Sequence, residues 1–326
     1  TILPSMLEII ARNHSYRNKS ARLYELGKIY LPREDGLADE PKYLSLGAYG
    51  DGVDFFLFCW YWRDNRGPVN EAAIESDPLH ASLGLYLNSK EKGRLKYCLL
   101  VANHGGSEIK GDKNWEDAAR YWAKYFSDPQ YVRVNGKPLV VIFDSGVNSI
   151  TDEQVKIMRE TAKKLGFKDG LAVACCRGTR SAFDIATRYN VNTLYSGDSR
   201  ELPYSDIVNA TKSTWKGSPE QPFIPTITCG WDKRPWEGKG PDGLGNTPVG
   251  GYYTEDTPEA FGSLLSDAIK WMDQNPEKTT RERIALIYAW NELGEGGYLV
   301  PTKGDPEAKK LKKIGEIVGR RRAGNQ

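Results

Sequence analysis

Histidine and methionine are scarce, at three of each in 326 residues. His14, His80 and His104 are too scattered to group into a zinc site. No sign of charge dominates: 45 Lys and Arg stand against 43 Asp and Glu, a formal net charge of +2. That balance leaves no electrostatic footprint for nucleic acid or an anionic membrane. Long hydrophobic runs are absent too. The longest, Phe55 to Trp62, is eight residues, well short of the ~20 that a spanning helix needs. Cysteine is sparse and odd in number: Cys59, Cys98, Cys175, Cys176 and Cys229. No C-x-x-C pair occurs, which excludes a disulfide framework, and all five read as small buried hydrophobes. No G-x-G-x-x-G follows a strand and no G-x-x-x-x-G-K-[ST] occurs, which weakens a nucleotide-binding open sheet. No charged-then-apolar leader opens the chain, and the start at Thr1 fits a processed or truncated N-terminus.

Polar-tipped aromatics are plentiful, with 9 Trp and 18 Tyr against 9 Phe. Such side chains suit half-wet sites. Short apolar runs predict strands at 54–60, 97–103, 138–144, 171–176, 193–196, 223–229 and 284–290. Amphipathic helices fall between them. Thr151-Asp152-Glu153-Gln154 fits a capping box. Thr257-Pro258 starts a second helix, Trp115, Ala119, Trp122 and Phe126 mark a third, and Asp305-Pro306 opens a basic last one. The basic run of that last helix reads as a solvated face. Seven strands alternating with helices point to an α/β protein with a (β/α)8 TIM-like barrel, incomplete at its first strand-helix unit. Residues 1–51 break the rhythm and are expected to form a small α+β appendage. Too few residues separate the run at 43–49 from the strand at 54–60 for a parallel crossover.

Glu292 and Glu295 stand three apart just past the last strand. That spacing puts both carboxylates on one side of a turn. Sharing a site drives their proton affinities apart, so that one can give a proton while the other takes one. Glycosidic cleavage needs that division; an exposed acidic loop is the plain alternative. The neighbouring Asn291 and the glycines at 294, 296 and 297 favour a site and allow close approach of a ligand. Trp60, Trp62, Trp231, Trp236 and Trp290 fall at strand C-ends or in the loop after one, the face where barrel active sites sit. They are candidate stacking surfaces for sugar rings; simple packing of Trp60 or Trp62 under helices is the competing reading. Asn103-His104 ends one strand and Asp144 another; both could bind hydroxyls, and a structural His and a turn Asp are equally at home there. Arg177 and Asp198 are weaker candidates of the same kind. The loop from Gly230 to Thr257 is long, polar and glycine-rich, as active-site loops are, and carries Trp231-Asp232-Lys233-Arg234-Pro235-Trp236 and Tyr252-Tyr253.

Two resemblances cover the two parts. Leu3-Pro4-Ser5-Met6-Leu7-Glu8, Ala11-Arg12-Asn13 and Leu23 through Pro32 resemble the bacterial phenylalanyl-tRNA synthetase β subunit. Val53 through Trp62, Ala102-Asn103-His104, Phe126 through Tyr131, Asn135 through Pro138 and above all Trp290-Asn291-Glu292-Leu293-Gly294-Glu295-Gly296 resemble glycoside hydrolase family 99-like domains. The chain thus reads as a junction of two unrelated genes, with the barrel over 52–326. The second resemblance implies a retaining mechanism through a 1,2-anhydro sugar, with Glu292 as the base on the 2-hydroxyl and Glu295 as the acid on the leaving oxygen. It also implies substrate contacts from Arg234 and from Tyr253, with Tyr252 fitting nearly as well. The chain departs from the family pattern at Leu293, where an aromatic residue is usual, and lacks the T-Q-I-E continuation.

The expectation is therefore a bacterial glycoside hydrolase acting on an α-linked, mannose-type glycan. Its catalytic pair is Glu292 and Glu295; Trp60, Trp62, Asn103, His104, Asp144, Trp231, Asp232, Arg234, Tyr253 and Asn291 bind substrate. No metal or cofactor is implied. The partner is an oligosaccharide or polysaccharide, with no nucleic acid, no membrane span and a monomeric state. An extracytoplasmic location fits the barrel. The alternatives are a non-catalytic carbohydrate-binding barrel, or a cytoplasmic synthetase fragment without chemistry of its own.

Overall fold

Apolar runs rich in β-branched and aromatic residues pair in parallel when helices can cover both faces. The computed structural model describes residues 51–62, 70–90, 92–144, 149–194, 200–234 and 250–324. In it such runs become β1 (Phe55–Trp60), β2 (Lys96–Asn103), β3 (Lys137–Asp144), β4 (Ala172–Cys175), β5 (Ile185–Ala186), β6 (Thr226–Thr228) and β7 (Leu286–Tyr288). β1 to β5 pair in sequence order and parallel, with Leu57 opposite Cys98, Leu100 opposite Val141, Val141 opposite Ala174 and Ala174 opposite Ile185. A parallel bridge from Ala186 to Phe223 carries the order on toward β6, and β6 pairs parallel with β7. The strand C-ends therefore gather at one face.

One expected strand is corrected. Thr193 and Leu194 belong to no strand, and the remainder of that run lies outside the described residues. Ile185–Ala186 takes the place instead. Asp184 explains why so short a piece docks there: its carboxylate accepts from the Val173 amide at 2.8 Å and pairs with Arg159 at 2.7 Å. A two-residue strand leaves no periodic run to detect.

The helices follow from their caps and apolar faces: α1 (Ala81–Asn88), α2 (Asp112–Phe126), α3 (Asp152–Lys164), α4 (Tyr204–Ser213), α5 (Pro258–Gln274) and α6 (Lys309–Gly324). α2 buries Trp115, Ala119, Trp122 and Phe126 completely. At α3 the capping box is complete: Thr151 Oγ1 accepts from the Gln154 amide at 3.2 Å, and Gln154 Oε1 accepts from the Thr151 amide at 3.0 Å. Thr257 caps α5 through the Ala260 amide at 3.2 Å. The last helix starts later than Asp305-Pro306 predicts. Ala308 sits at φ 51°, outside helical space, and Asp305 instead accepts from the Lys309 amide at 2.8 Å.

No strand among the described residues lies between β1 and β7. A cavity of about 640 Å³ fills that seam, lined by Phe55, Phe56 and Leu57 on one side and Ile284, Leu286 and Ile287 on the other. Ile314 and Val318 of α6 also line it. Phe56 and Trp290 touch edge to face across it, ring centroids 5.0 Å apart. This is where a first strand-helix unit belongs. The α+β appendage expected over residues 1–51 lies, up to residue 50, outside the described residues. Cys98, Cys175, Cys176 and Cys229 are buried and Cys59 half-buried, all as free thiols.

Candidate active site

The site grows from the end of β7. After Tyr288 the chain makes a tight antiparallel hairpin, Asn291–Glu292 against Gly297–Tyr298, around one 3-10 turn at Leu293–Glu295. Gly296 ends that turn in the left-handed region, at φ 72°, and a side chain there would meet the Asp232 amide nitrogen at 2.7 Å. A side chain at Gly297 would run into the Tyr288 ring. These glycines thus admit the protein's own parts. The expectation that they make room for a ligand is corrected at these two positions.

Glu292 lines the cavity between β1 and β7, and the Tyr189 hydroxyl donates to its Oε1 at 3.5 Å. Burial pushes its carboxyl above the usual range, and the charge of Glu295 pushes it further; the Tyr189 bond offsets part of this. Glu295 has different company. The Tyr288 hydroxyl donates to its Oε2, and the Lys233 ammonium stands 3.6 Å from its Oε1. Burial first, then the bond to Glu295, drive the Tyr288 phenol far above its ordinary value, so it stays a donor. Two neighbouring carboxylates thus sit in two environments.

Aromatic rings form a continuous arc around them at the strand C-ends. Tyr61 meets His104 at 6.0 Å between centroids, His104 meets Phe143 at 6.0 Å, and Phe143 meets Tyr189 at 4.8 Å. Tyr189 meets Tyr288 at 5.1 Å, and Tyr288 meets Trp231 at 6.1 Å. His104 and Trp231, both foreseen, belong to this arc. Asn291 is exposed on the hairpin beside Glu292. Asp232 and Arg234 hold each other through two bonds of 2.9 and 2.7 Å, and the Arg234 guanidinium lies 3.3 Å over the Tyr252 ring. Burial works against the Asp232 carboxylate, but the Arg234 bonds outweigh it and hold its pKa low.

Several foreseen residues sit elsewhere. Trp60 is 0% and Trp62 2% exposed. Trp60 packs against Trp122 of α2 at 5.1 Å and against His80, so neither indole offers a face to a sugar. Asn103 is fully buried, its Oδ1 accepting from the Ile109 amide at 3.0 Å. Asp144 is equally hidden and ion-paired with Arg180 at 3.0 Å. Tyr253 is buried against Tyr204 and Ile207, and its hydroxyl bonds the Thr193 amide at 2.9 Å. Each of these was expected to touch substrate, and each instead holds the scaffold together. Trp236 and Asp198 lie outside the described residues. Sequence reasoning passed over Tyr189, Tyr288, Lys233, Tyr61 and Phe143. Tyr288 was detectable: it is the polar-tipped aromatic that ends the last strand, sharing a face with Leu286 by period two. Tyr189 follows a strand too short to notice.

The raised Glu292 carboxyl has a stability consequence. Below the unfolded-chain value, about 4.3, both states hold the proton and the site costs nothing. As pH rises through that value the unfolded chain ionises first, and the folded state is penalised increasingly until Glu292 itself ionises. Glu292→Gln is therefore expected to raise the Tm at pH 7 and to leave it unchanged near pH 3.5. A thermal-unfolding series over that range reads the difference.

Comparison with known proteins divides the chain in two. Residues 1–58 match the phenylalanyl tRNA synthetase beta chain CLM domain. The phenylalanine–tRNA ligase beta subunit of Clostridium acetobutylicum is 43% identical over 58 residues, which is 17% of this chain and 7% of that subunit. The chain thus spans a small fraction of the curated relatives it matches. The barrel superimposes on the glycoside hydrolase family 99 endo-α-mannosidase of Bacteroides thetaiotaomicron with a TM-score of 0.55, at 18% identity, covering 86% of this chain and 79% of that one. A glycoside hydrolase-like protein gives 0.54 at 13% identity, covering 84% of each. These likenesses establish the TIM-barrel fold. The family model for glycosyltransferase WbsX matches residues 48–310, and on that span the chain belongs to the WbsX glycosyltransferase family.

Proposed function

We propose that the barrel, residues 52–326, breaks an α-linked, mannose-type glycosidic bond with Glu292 and Glu295 as its acid–base pair. The observation that carries this reading is the pair itself: two carboxylates on one turn at the strand C-ends, one half-buried along the cavity, the other held by Lys233 and Tyr288. One carboxylate takes the proton of the sugar 2-hydroxyl as O2 bonds to C1. The C1 bond to the leaving oxygen breaks, and the other carboxyl supplies that oxygen with a proton. Water then opens the 1,2-anhydro ring at C1, giving one proton to the spent acid, while O2 recovers its own. The configuration at C1 is retained after two inversions. The arc from Tyr61 to Trp231 is the sugar platform in place of Trp60 and Trp62. Residues 1–51, which resemble a different family, are assigned no role in this chemistry.

A second reading is transfer, favoured by the description of the family to which residues 48–310 belong. The same site then passes the sugar to an acceptor hydroxyl rather than to water. Proton NMR of the first product formed from an α-mannooligosaccharide, with and without a second sugar as acceptor, tests both. Retained anomer is expected, and a new glycoside in the presence of acceptor marks transfer. Inverted product would rule out the anhydro route. Binding without turnover would leave a carbohydrate-binding barrel.

A further inference from the structure

We infer that Arg188, just past β5, binds an oxyanion on the glycan, so that the substrate this site accepts best carries a phosphate ester or a carboxylate. This rests on the reading above that the site acts on glycans. The cavity between β1 and β7 runs inward past Cys59 and Glu292 to Cys176, Arg188 and Tyr189. Arg188 stands two residues past β5 and Arg177 two past β4, at the strand C-ends where the two carboxylates also lie. The backbone fixes Arg188 first. Arg177 and Arg188 form an antiparallel bridge, the Gly178 amide donates to the Thr187 carbonyl at 3.1 Å, and Thr226 Oγ1 donates to the Arg188 carbonyl at 2.6 Å. The side chain is then held in place. Its Nη1 donates to the Arg177 carbonyl at 2.8 Å. Its Nη2 lies against Gly178, where a Cβ would stand 2.8 Å from it. Gly178 is buried at φ 89°, so the guanidinium occupies space that a side chain would otherwise fill.

Its charge has no counterpart close by. Of the carboxylates on neighbouring segments, Asp144 is ion-paired with Arg180 at 3.0 Å and Asp184 with Arg159 at 2.7 Å. Glu292, in the same cavity, takes its bond from Tyr189. Arg188 forms no ion pair among the described residues, and its Nε–H is buried without a hydrogen-bond partner. Trp290 lines the same cavity, and its indole N–H is likewise buried and unmatched. A half-buried cation and unmatched donors are costly until an acceptor arrives. The planar fork of a guanidinium suits the paired oxygens of a phosphate or a carboxylate. Arg177, exposed and bonded to Ser149 Oγ at 3.1 Å, adds a second cation at the rim. A neutral glycan leaves both charges unanswered.

Calorimetric titration with three forms of α-mannobiose tests this: the neutral sugar, its 6-phosphate, and the analogue oxidised to a carboxylate at C6. The unaltered protein should bind at least one anionic form about 10-fold or more tighter than the neutral one, and high salt should shrink the gap. Equal affinity for all three overturns the inference. The anionic form that binds tighter tells whether an ester or an acid supplies the oxyanion. Arg188→Gln should erase the preference, while Arg188→Lys, which keeps the charge without the fork, should keep part of it. A preference that survives Arg188→Gln overturns the role of Arg188. A second readout uses the unaltered chain. In protein labelled with ¹⁵N at arginine Nε, the resonance missing from Arg188→Lys identifies Arg188. It should move when the preferred anionic sugar is added and stay in place with the neutral one. No movement overturns the inference even where Arg188→Gln folds poorly. Hydrolysis of the same three sugars is read separately. An anion preference with no turnover of any of them would sink the glycosidase reading and leave the anion subsite standing; turnover of the neutral sugar with no preference would do the reverse.

Discussion

A 2-deoxy analogue of an α-mannoside substrate is expected to be inert. The 2-hydroxyl oxygen is the nucleophile of the proposed route, held on the same sugar as the carbon it attacks. Intramolecular attack of this kind is worth effective concentrations of about 10⁵–10⁸ M, and no side chain replaces it. The sign of the effect separates this route from direct attack by water. Glycosides lacking the 2-hydroxyl are intrinsically easier to ionise, so a site that relied on water or on a carboxylate nucleophile would turn the analogue over at least as fast. Competition kinetics between the analogue and its parent read the ratio. A loss of at least about 10⁵ agrees with the anhydro route, and comparable turnover eliminates it.

The second large effect concerns the scaffold. Asp144 ends β3 with a fully buried side chain, and Arg180 is the cation that meets it, at 3.0 Å. Arg180 also donates to the Ile150 carbonyl at 2.8 Å, tying the start of α3 to the segment after β4. Removing Arg180 takes a cation from 3.0 Å beside the buried Asp144 carboxylate, a change worth up to about 3–5 kcal/mol. Arg180→Ala is therefore expected to lose that much in urea unfolding. Had Asp144 served the substrate, the same variant would change KM and leave the unfolding midpoint in place; that outcome would return Asp144 to the site.

The barrel was legible where strands are long and covered on both faces. β1, β2 and β3 lie within a residue of the apolar runs that announce them, and α3 and α5 begin where their capping residues stand. β5 was not legible, because Asp184 and the edge of β4 position two residues that carry no pattern of their own. The site divides in the same way. Glu292 and Glu295 were visible because one turn holds both. Trp60 and Trp62 misled because a tryptophan at a strand end looks alike whether it faces solvent or α2; only the packing against Trp122 decides. Lys233 was passed over for its neighbours Asp232 and Arg234, which turn out to occupy each other. Charge pairing across three residues of a loop leaves no periodicity to read.

The account's central claim is that Glu292 and Glu295 carry out the chemistry together. Residues acting as a unit lose activity non-additively, so the double variant is the cleanest probe. The measurement is kcat/KM of Glu292→Gln/Glu295→Gln on an α-mannooligosaccharide, beside its thermal midpoint at pH 7. The predicted result is a loss of at least about 10⁴ in kcat/KM, about as large as that of the worse single variant, with a midpoint no lower than that of the unaltered protein. A double variant that keeps full activity would contradict the claim and place the chemistry elsewhere.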